Sequence, residues 1–250
     1  MFVRAIMKYL LSLWRGAGKY RKKNIMTKLL LQTLATFAGG ALLLGLLLFL
    51  PAGTFNYWQA WVLIVVFMIT ISVFGVYFSI KDPALIERRK QAGPAAEQST
   101  LQKIVATIAF TGLFALFVLS ALDHRFGWSQ VPPLVSWIGD ALLVLSFIMF
   151  YFVFRVNSYG ASNIRVEQNQ KVISTGPYAL VRHPMYDGAL VMVVGIALAL
   201  GSWWALALLI ITIPVLVIRI LDEEKVLVKD LPGYTEYEQK VRYRLVPYLW

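Results

Sequence analysis

The sequence predicts an all-α membrane protein, a polytopic helix bundle of about six membrane segments whose last two form a hairpin. Two observations lead to this fold class. First, 59% of the 250 residues are hydrophobic and only 15% are charged, whereas soluble domains carry about 25% charged residues. Second, apolar stretches recur along the chain at roughly the 20-residue length that a helix needs to cross a bilayer.

The apolar stretches define the predicted segments. Residues 29–50, 57–80, 104–122 and 134–154 are each long enough to span, so we predict a scaffold of four helices over 29–154. The stretches 185–200 and 203–218 are shorter and are separated only by Gly201 and Ser202. They predict a helical hairpin over 185–218 that crosses all or most of the membrane, with a kink at Pro214.

Residues 1–28 predict a basic amphipathic helix that lies in the membrane interface. Arg4, Lys8, Arg15 and Lys19 fall on one helical face, and apolar side chains such as Leu10 fall on the other. This pattern is typical of helices that bury one face among lipid headgroups.

The positive charges predict the topology. The segments 1–28, 81–103, 155–184 and 219–250 contain 23 of the 24 lysines and arginines. Because cytoplasmic segments of membrane proteins collect positive charge, we predict that these segments and both termini are cytoplasmic, in a bacterial inner membrane. The net charge of +11 then faces anionic lipid headgroups, so the predicted partner is the lipid bilayer and not nucleic acid.

Composition also excludes several kinds of chemistry. The chain has no cysteine, which excludes disulfides, thiol nucleophiles and thiolate-ligated metals. His124 and His183 are the only histidines and cannot by themselves build a histidine-rich metal site. No Gly-x-Gly-x-x-Gly motif follows a predicted strand, so we predict no Rossmann fold and no metal.

The most informative stretch runs from Ser174 to Gly188. Gly176-Pro177 marks a turn, and Arg182-His183-Pro184 stands where an apolar helix begins, with Pro184 suited to its first turn. Backbone N–H groups at such a helix start, beside basic side chains, suit an anionic or polar ligand. A basic collar at the membrane interface is an equally simple interpretation.

A second charged segment runs from Arg219 to Leu227, just beyond the hairpin. Ionisable groups at the edge of the hydrocarbon usually face protein or water, and the alternative is a solvated helix end. The hairpin brings Glu224 to the same membrane surface as Arg182 and His183. Acidic groups opposite basic ones form a site able to hold a zwitterion.

These residues carry a resemblance to a known family. The pattern Gly-x-Tyr-x-x-x-Arg-His-Pro-x-Tyr-x-Gly over 176–188, then Arg-x-x-x-Glu-Glu-x-x-Leu over 219–227, then Tyr234 and Tyr237, resembles the isoprenylcysteine carboxyl methyltransferase and phospholipid methyltransferase superfamily. The resemblance covers 165–250, so 155–250 is interpreted as the cofactor-binding region.

The resemblance implies S-adenosylmethionine as the cofactor and assigns residues to it. It implies that Glu224 binds the polar end of the cofactor and that Arg219 faces the carboxylate of a lipophilic acceptor entering from the bilayer, which makes these two the candidate catalytic residues. The other implied cofactor-binding residues are Gln168, Gln170, Lys171, Val172, Ile173, Tyr178, Arg182, His183, Pro184, Met185 and Tyr186. Members of the family often have His where Gln170 stands here.

The implied reaction is carboxyl O-methylation of an isoprenylcysteine-like substrate. A carboxylate is deprotonated at neutral pH and needs no general base, whereas an amine must first lose a proton. The alternatives are a phospholipid N-methyltransferase, a protein that uses a similar motif with NADPH as sterol reductases do, and a non-catalytic membrane protein. Asp140 lies in a spanning segment far from this site, and we expect a structural or water-exposed role for it.

Overall fold

The computed structural model describes residues 37–90, 92–160, 163–164, 166–167 and 170–250. The predicted interfacial helix 1–28 and the start of segment 29–50 lie outside the described residues. Within the described part of the chain, helices and short 3₁₀ turns are the only regular elements. The helices are α1 Phe37–Ala52, α2 Trp58–Lys81, α3 Pro83–Lys90, α4 Thr100–Phe126, α5 Pro133–Val156, α6 Pro184–Ala199, α7 Trp203–Leu206, α8 Leu209–Asp230 and α9 Tyr234–Lys240.

The predicted polytopic helical bundle is confirmed. Helices α2, α4, α5 and the run Trp203–Asp230 are long and apolar enough to cross a membrane, and α1 and α6 are shorter apolar helices. Helix α4 extends beyond the predicted 104–122 at both ends. Its limits are set by caps that hydropathy does not report: Ser99 accepts a hydrogen bond from the N–H of Gln102, and Gly127 ends the helix at φ +65°.

The predicted hairpin is formed by α6 and by α7 with α8. Gly201 turns the chain at φ +70°, and Ser202 caps α7 by accepting from the N–H of Ala205 at 3.0 Å. The second arm is interrupted at residues 207–208, between α7 and α8. Pro214 lies inside α8, which continues to Asp230 and carries the polar residues of the site toward the tail.

Two glycines let α5 and α6 pack backbone against backbone. A Cβ atom on Gly139 would lie 2.1 Å from the backbone N of Ala199, and one on Gly195 would lie 2.9 Å from the backbone N of Leu143. Without a hydrophobic driving force between helices in lipid, such close approach of small residues is a main source of attraction. It fixes the start of α5 against the end of α6.

The turn of the hairpin is tied to α4 by buried polar contacts. Asp123 is 1% exposed and accepts hydrogen bonds from the N–H and the hydroxyl of Ser129, each at 2.6 Å, and from the hydroxyl of Ser202. The hydroxyl of Tyr57 donates to the carbonyl of Leu200 at 2.7 Å. Helices α2, α4 and the hairpin therefore share one end of the bundle.

Asp140 is buried in this structure, at 5% exposure, so a water-exposed role for it is wrong. Among the described residues, neither of its carboxylate oxygens has a hydrogen-bond partner, and the same holds for Ser136 Oγ and Gln59 Oε1.

At the other end of the bundle an apolar cluster supports the loops. Phe78, Leu85, Val153 and Phe154 are buried together, and the partly buried Tyr178 and Met185 pack against them. The cluster joins α2, α3 and α5 to the segment that carries the Arg-His-Pro motif.

The close approach of α5 and α6 predicts that Gly139→Ala destabilises the fold. The added methyl meets backbone that no rotamer change can move, and overpacking of this kind typically costs about 1–3 kcal/mol. Gly112→Ala is the matched control, since a Cβ atom there meets nothing within 4 Å. Thermal unfolding in detergent should show a lower Tm for Gly139→Ala and an unchanged or higher Tm for Gly112→Ala. Equal melting of the two variants would contradict the packing described here.

The charge distribution predicts which loops are external. The chain has no cysteine, so single cysteines introduced at the exposed positions Asn56, Gln130 and Gln98 report on topology without background. An impermeant thiol reagent applied to intact cells should label the variants at Asn56 and Gln130 and leave the variant at Gln98 unlabelled. Labelling of the Gln98 variant alone would reverse the predicted orientation.

Candidate functional site

The site is built where the loop before α6 meets the C-terminal tail. The backbone N–H groups of Arg182 and His183 each donate to a tail carbonyl, those of Tyr243 and Arg244, at 2.9 Å. Pro184 occupies the first turn of α6, as predicted from its sequence. The tail therefore occupies the N–H groups of Arg182 and His183, which are not available to a ligand.

Glu224 is the centre of a buried ion cluster. It is 6% exposed and accepts hydrogen bonds from Arg182 Nε at 2.7 Å and from Arg244 Nε at 2.8 Å. His183 Nε2 lies 3.2 Å from the same carboxylate. A buried charge is tolerated only when it is paired and hydrogen-bonded, so Glu224 holds the loop before α6 and the tail against α8.

A cavity opens beside this cluster. Its wall comes from the loop that follows α5, the stretch 170–173, the start of α6, the end of α8 and helix α9. The lining residues are Asn157, Tyr159, Gly160, Asn163, Ile164, Gln170, Lys171, Val172, Ile173, Tyr178, Arg182, His183, Met185, Tyr186, Glu223, Leu227, Leu231, Tyr234 and Tyr237.

Most of the residues implied by the resemblance meet at this cavity. They are Gln170, Lys171, Val172, Ile173, Tyr178, Arg182, His183, Met185 and Tyr186. Pro184, Arg219 and Glu224 are not among the lining residues; Glu224 lies behind the wall, bonded to Arg182 and His183. Gln168 lies outside the described residues.

Arg219 is held in a network next to the cavity. Its Nη2 donates to Glu97 Oε1 at 2.8 Å, its Nη1 to Gln102 Oε1 at 2.9 Å and its Nε to the Tyr186 hydroxyl at 3.0 Å. The Tyr186 hydroxyl in turn donates to Glu223 Oε2 at 2.6 Å. Arg219 thus reaches the cavity through two wall residues, Tyr186 and Glu223.

Several wall residues had no distinguishing signal in the sequence. Glu223 stands beside Glu224 in the pattern over 219–227, but the resemblance implies a role only for Glu224. Asn157, Tyr159 and Asn163 follow α5 in a polar loop without a motif. The loop is placed by contacts with distant residues, such as the bond from Arg88 Nε to Glu167 at 2.7 Å, which spacing along the chain does not report.

Three tyrosine hydroxyls at the cavity are uncharged at neutral pH. Burial raises the pKa of Tyr178 to about 12, and burial also raises the pKa of Tyr234 and of Tyr237 above the usual value. These hydroxyls therefore keep their protons at neutral pH and act as hydrogen-bond donors. Tyr178 accepts from Asn157 Nδ2 at 2.8 Å, and Tyr237 donates to the carbonyl of Tyr178 at 2.8 Å.

Two wall groups have no partner among the described residues. They are the buried hydroxyl of Tyr234 and the side-chain oxygen of Asn163. Buried polar atoms are nearly always hydrogen-bonded, so these two suit a ligand that offers polar groups to the cavity. The wall also supplies a carboxylate in Glu223, cations in Lys171 and Arg182, and several aromatic rings, which attract cations over their faces. This set fits S-adenosylmethionine, which combines an ammonium, a carboxylate, a sulfonium and polar ribose and adenine groups.

Comparison with known proteins gives one finding. Residues 134–232 match the family model described as phospholipid methyltransferase. The match begins within α5 and ends just after α8, so it includes the loop before α6 and the Glu223-Glu224 pair but not Tyr234 and Tyr237. No curated protein matches the chain. The match confirms, for residues 134–232, the predicted resemblance to the superfamily of membrane methyltransferases that contains the isoprenylcysteine carboxyl methyltransferases and the phospholipid methyltransferases.

Proposed function

We propose that this protein transfers a methyl group from S-adenosylmethionine to a lipophilic acceptor that enters from the bilayer. The observation that carries the proposal is the cavity: the residues at 170–173, 178, 182–183 and 185–186, which the resemblance assigns to the cofactor, line one space. The bundle around it has four helices able to cross a membrane, which suits an acceptor dissolved in lipid.

In this proposal, different wall residues contact different groups of the cofactor. Glu223 and the rings of Tyr178 and Tyr186 face the positive groups, and Arg182 with Lys171 faces the carboxylate. Val172 and Ile173 cover the adenosine. Glu224 contributes indirectly, because it fixes Arg182 and His183, the side chains that the cofactor would contact.

The bound cofactor supplies an electrophilic methyl on a sulfonium, so the protein's task is alignment in a site closed to water. Residues of α9 contribute to this closure, since Tyr234 and Tyr237 are 4% exposed and line the cavity. An acceptor oxygen must reach the methyl from the side opposite sulfur. Arg219, which bonds the hydroxyl of the wall residue Tyr186, is the cation beside the path by which the acceptor would approach.

For the acceptor we propose the carboxylate of an isoprenylcysteine-like molecule. A carboxylate needs no general base at neutral pH, and the site presents cations near the cavity in Arg182 and Arg219.

A phospholipid amine is the second candidate, and one observation favours it. Arg219, which a carboxylate acceptor would use, is already paired with Glu97 at 2.8 Å, and the acid on the cavity wall is Glu223. A carboxylate there suits a cationic acceptor that must lose a proton before it reacts.

A nicotinamide cofactor fits this site less well. Its phosphates would need several cations or a set of free helix N–H groups. The N–H groups of Arg182 and His183 are bonded to the tail, and Arg182 is also bonded to Glu224.

Cofactor binding is tested with the two histidines. His183→Ala should weaken S-adenosylmethionine about tenfold to a hundredfold, the value of one hydrogen bond to a charged group. His124→Ala is the matched control, because His124 lies beside Asn56 at the hairpin end of the bundle and should bind as the wild type does. The measurement is calorimetric titration of purified protein in detergent, with NADPH as a second ligand. A wild-type protein that binds NADPH and not S-adenosylmethionine would overturn the proposed function.

The acceptor class is tested by competition and by pH. With a prenylated cysteine analogue and phosphatidylethanolamine present together, methyl transfer should go to the cysteine carboxylate. Its rate should change little between about pH 6 and pH 8, because an acceptor carboxylate is already deprotonated there. An amine acceptor would instead react faster as the pH rises. Exclusive methylation of the amine lipid would replace the carboxylate proposal with the phospholipid one.

A further inference from the structure

A segment outside the family match supports the wall of the cavity. Residues 83–102 comprise α3, a short 3₁₀ turn at Pro94–Ala96 and the first residues of α4. They contact the loop after α5 at several points: Arg88 bonds Glu167 at 2.7 Å, Arg89 bonds the carbonyl of Gly160 at 3.3 Å, and Asn163 Nδ2 donates to the carbonyl of Ala96 at 2.9 Å.

Glu97 stands out within this segment because it bonds two sides of the cavity at once. It is 5% exposed. Its Oε1 accepts from Arg219 Nη2 at 2.8 Å, and its Oε2 accepts from the backbone N–H of Ile164 at 3.2 Å. Ile164 is a wall residue, and Arg219 bonds the wall residue Tyr186.

The contacts form a continuous chain around the cavity. It runs from the Ile164 N–H through Glu97 and Arg219 to the Tyr186 hydroxyl, and from there to Glu223 at 2.6 Å. Arg219 is braced a second time by Gln102, whose side-chain amide also donates to Asp222 Oδ2 at 2.6 Å. A partly buried arginine bonded in this planar arrangement has its orientation fixed by its partners.

We propose that Glu97 is a positioning residue for methyl transfer. It contacts neither the cofactor nor the acceptor. It sets the orientation of Arg219 and, through Arg219, of Tyr186 and Glu223. It also fixes the facing wall at Ile164. The inference rests on the proposed function, and it makes the first half of the chain part of the site.

Removing only the charge should be enough to disturb the site. Glu97→Gln keeps an oxygen that can accept from the Ile164 N–H, but its neutral amide cannot form an ion pair with Arg219 as the carboxylate does. Arg219, whose side chain is 14% exposed, then loses its ionic contact with Glu97, which is costly. We expect S-adenosylmethionine affinity to fall by about tenfold and turnover at saturating cofactor to fall as well, because Tyr186 and Glu223 lose their fixed positions.

The closing experiment is a double-mutant cycle with Glu97→Gln, Arg219→Met and the double variant. Each protein is titrated with S-adenosylmethionine, and turnover is measured at saturating cofactor. Because Glu97 acts through Arg219, adding Glu97→Gln to Arg219→Met should change the affinity and the turnover by less than about threefold. Asp123→Asn is the control for lost stability alone, since Asp123 is equally buried and lies at the hairpin end. It should leave affinity and turnover unchanged in the folded protein.

The outcomes separate the two proposals. A wild-type protein that does not bind S-adenosylmethionine removes the proposed function and this inference with it. A wild-type protein that binds and turns over, together with a Glu97→Gln variant that behaves like it, overturns the inference alone. Additive effects of Glu97→Gln and Arg219→Met would also overturn it, since they would show that Glu97 acts independently of Arg219.

Discussion

The site depends on the burial of one carboxylate, that of Glu224, among Arg182, His183 and Arg244. Three parts of the chain that are distant in sequence supply these groups. Removing one member of a buried ion cluster leaves the others desolvated and unpaired, typically at a cost of several kcal/mol. The interaction therefore keeps α8, the loop before α6 and the tail together, and the cavity exists because these three elements meet.

Around this cluster the wall is supported from two directions. On one side α5 and α6 touch through Gly139 and Gly195 near the hairpin turn, which packs together the two helices whose opposite ends meet the cavity. On the other side, Glu97 links Ile164 to Arg219. A small-residue helix contact within the membrane and a buried ion pair at its edge thus combine to shape one polar cavity, although neither contact lines it.

The membrane helices could be predicted from the sequence because hydropathy and positive charge indicate membrane segments directly. Helices α2 and α5 begin and end within two residues of the predicted 57–80 and 134–154. Many residues of the cavity wall could also be named from the sequence, because the pattern over 176–188 carries a resemblance that implies roles for 170–173, Tyr178 and 182–186. The spacing of residues along the chain could not predict which distant side chains bond to each other in the folded protein. Nothing in the sequence around Glu97 indicates that it binds Arg219, and the assignment of Glu224 to the cofactor stays a prediction.

The central claim is that the segments 170–173, 178–186 and 223–237 enclose one S-adenosylmethionine molecule. Photo-crosslinking of radiolabelled S-adenosylmethionine to the purified protein, followed by peptide mapping, tests it most directly. Label should appear in peptides from 170–190 and 223–245, and excess unlabelled cofactor should remove it. Label confined to the hairpin end of the bundle, or label that excess cofactor does not displace, would contradict the account.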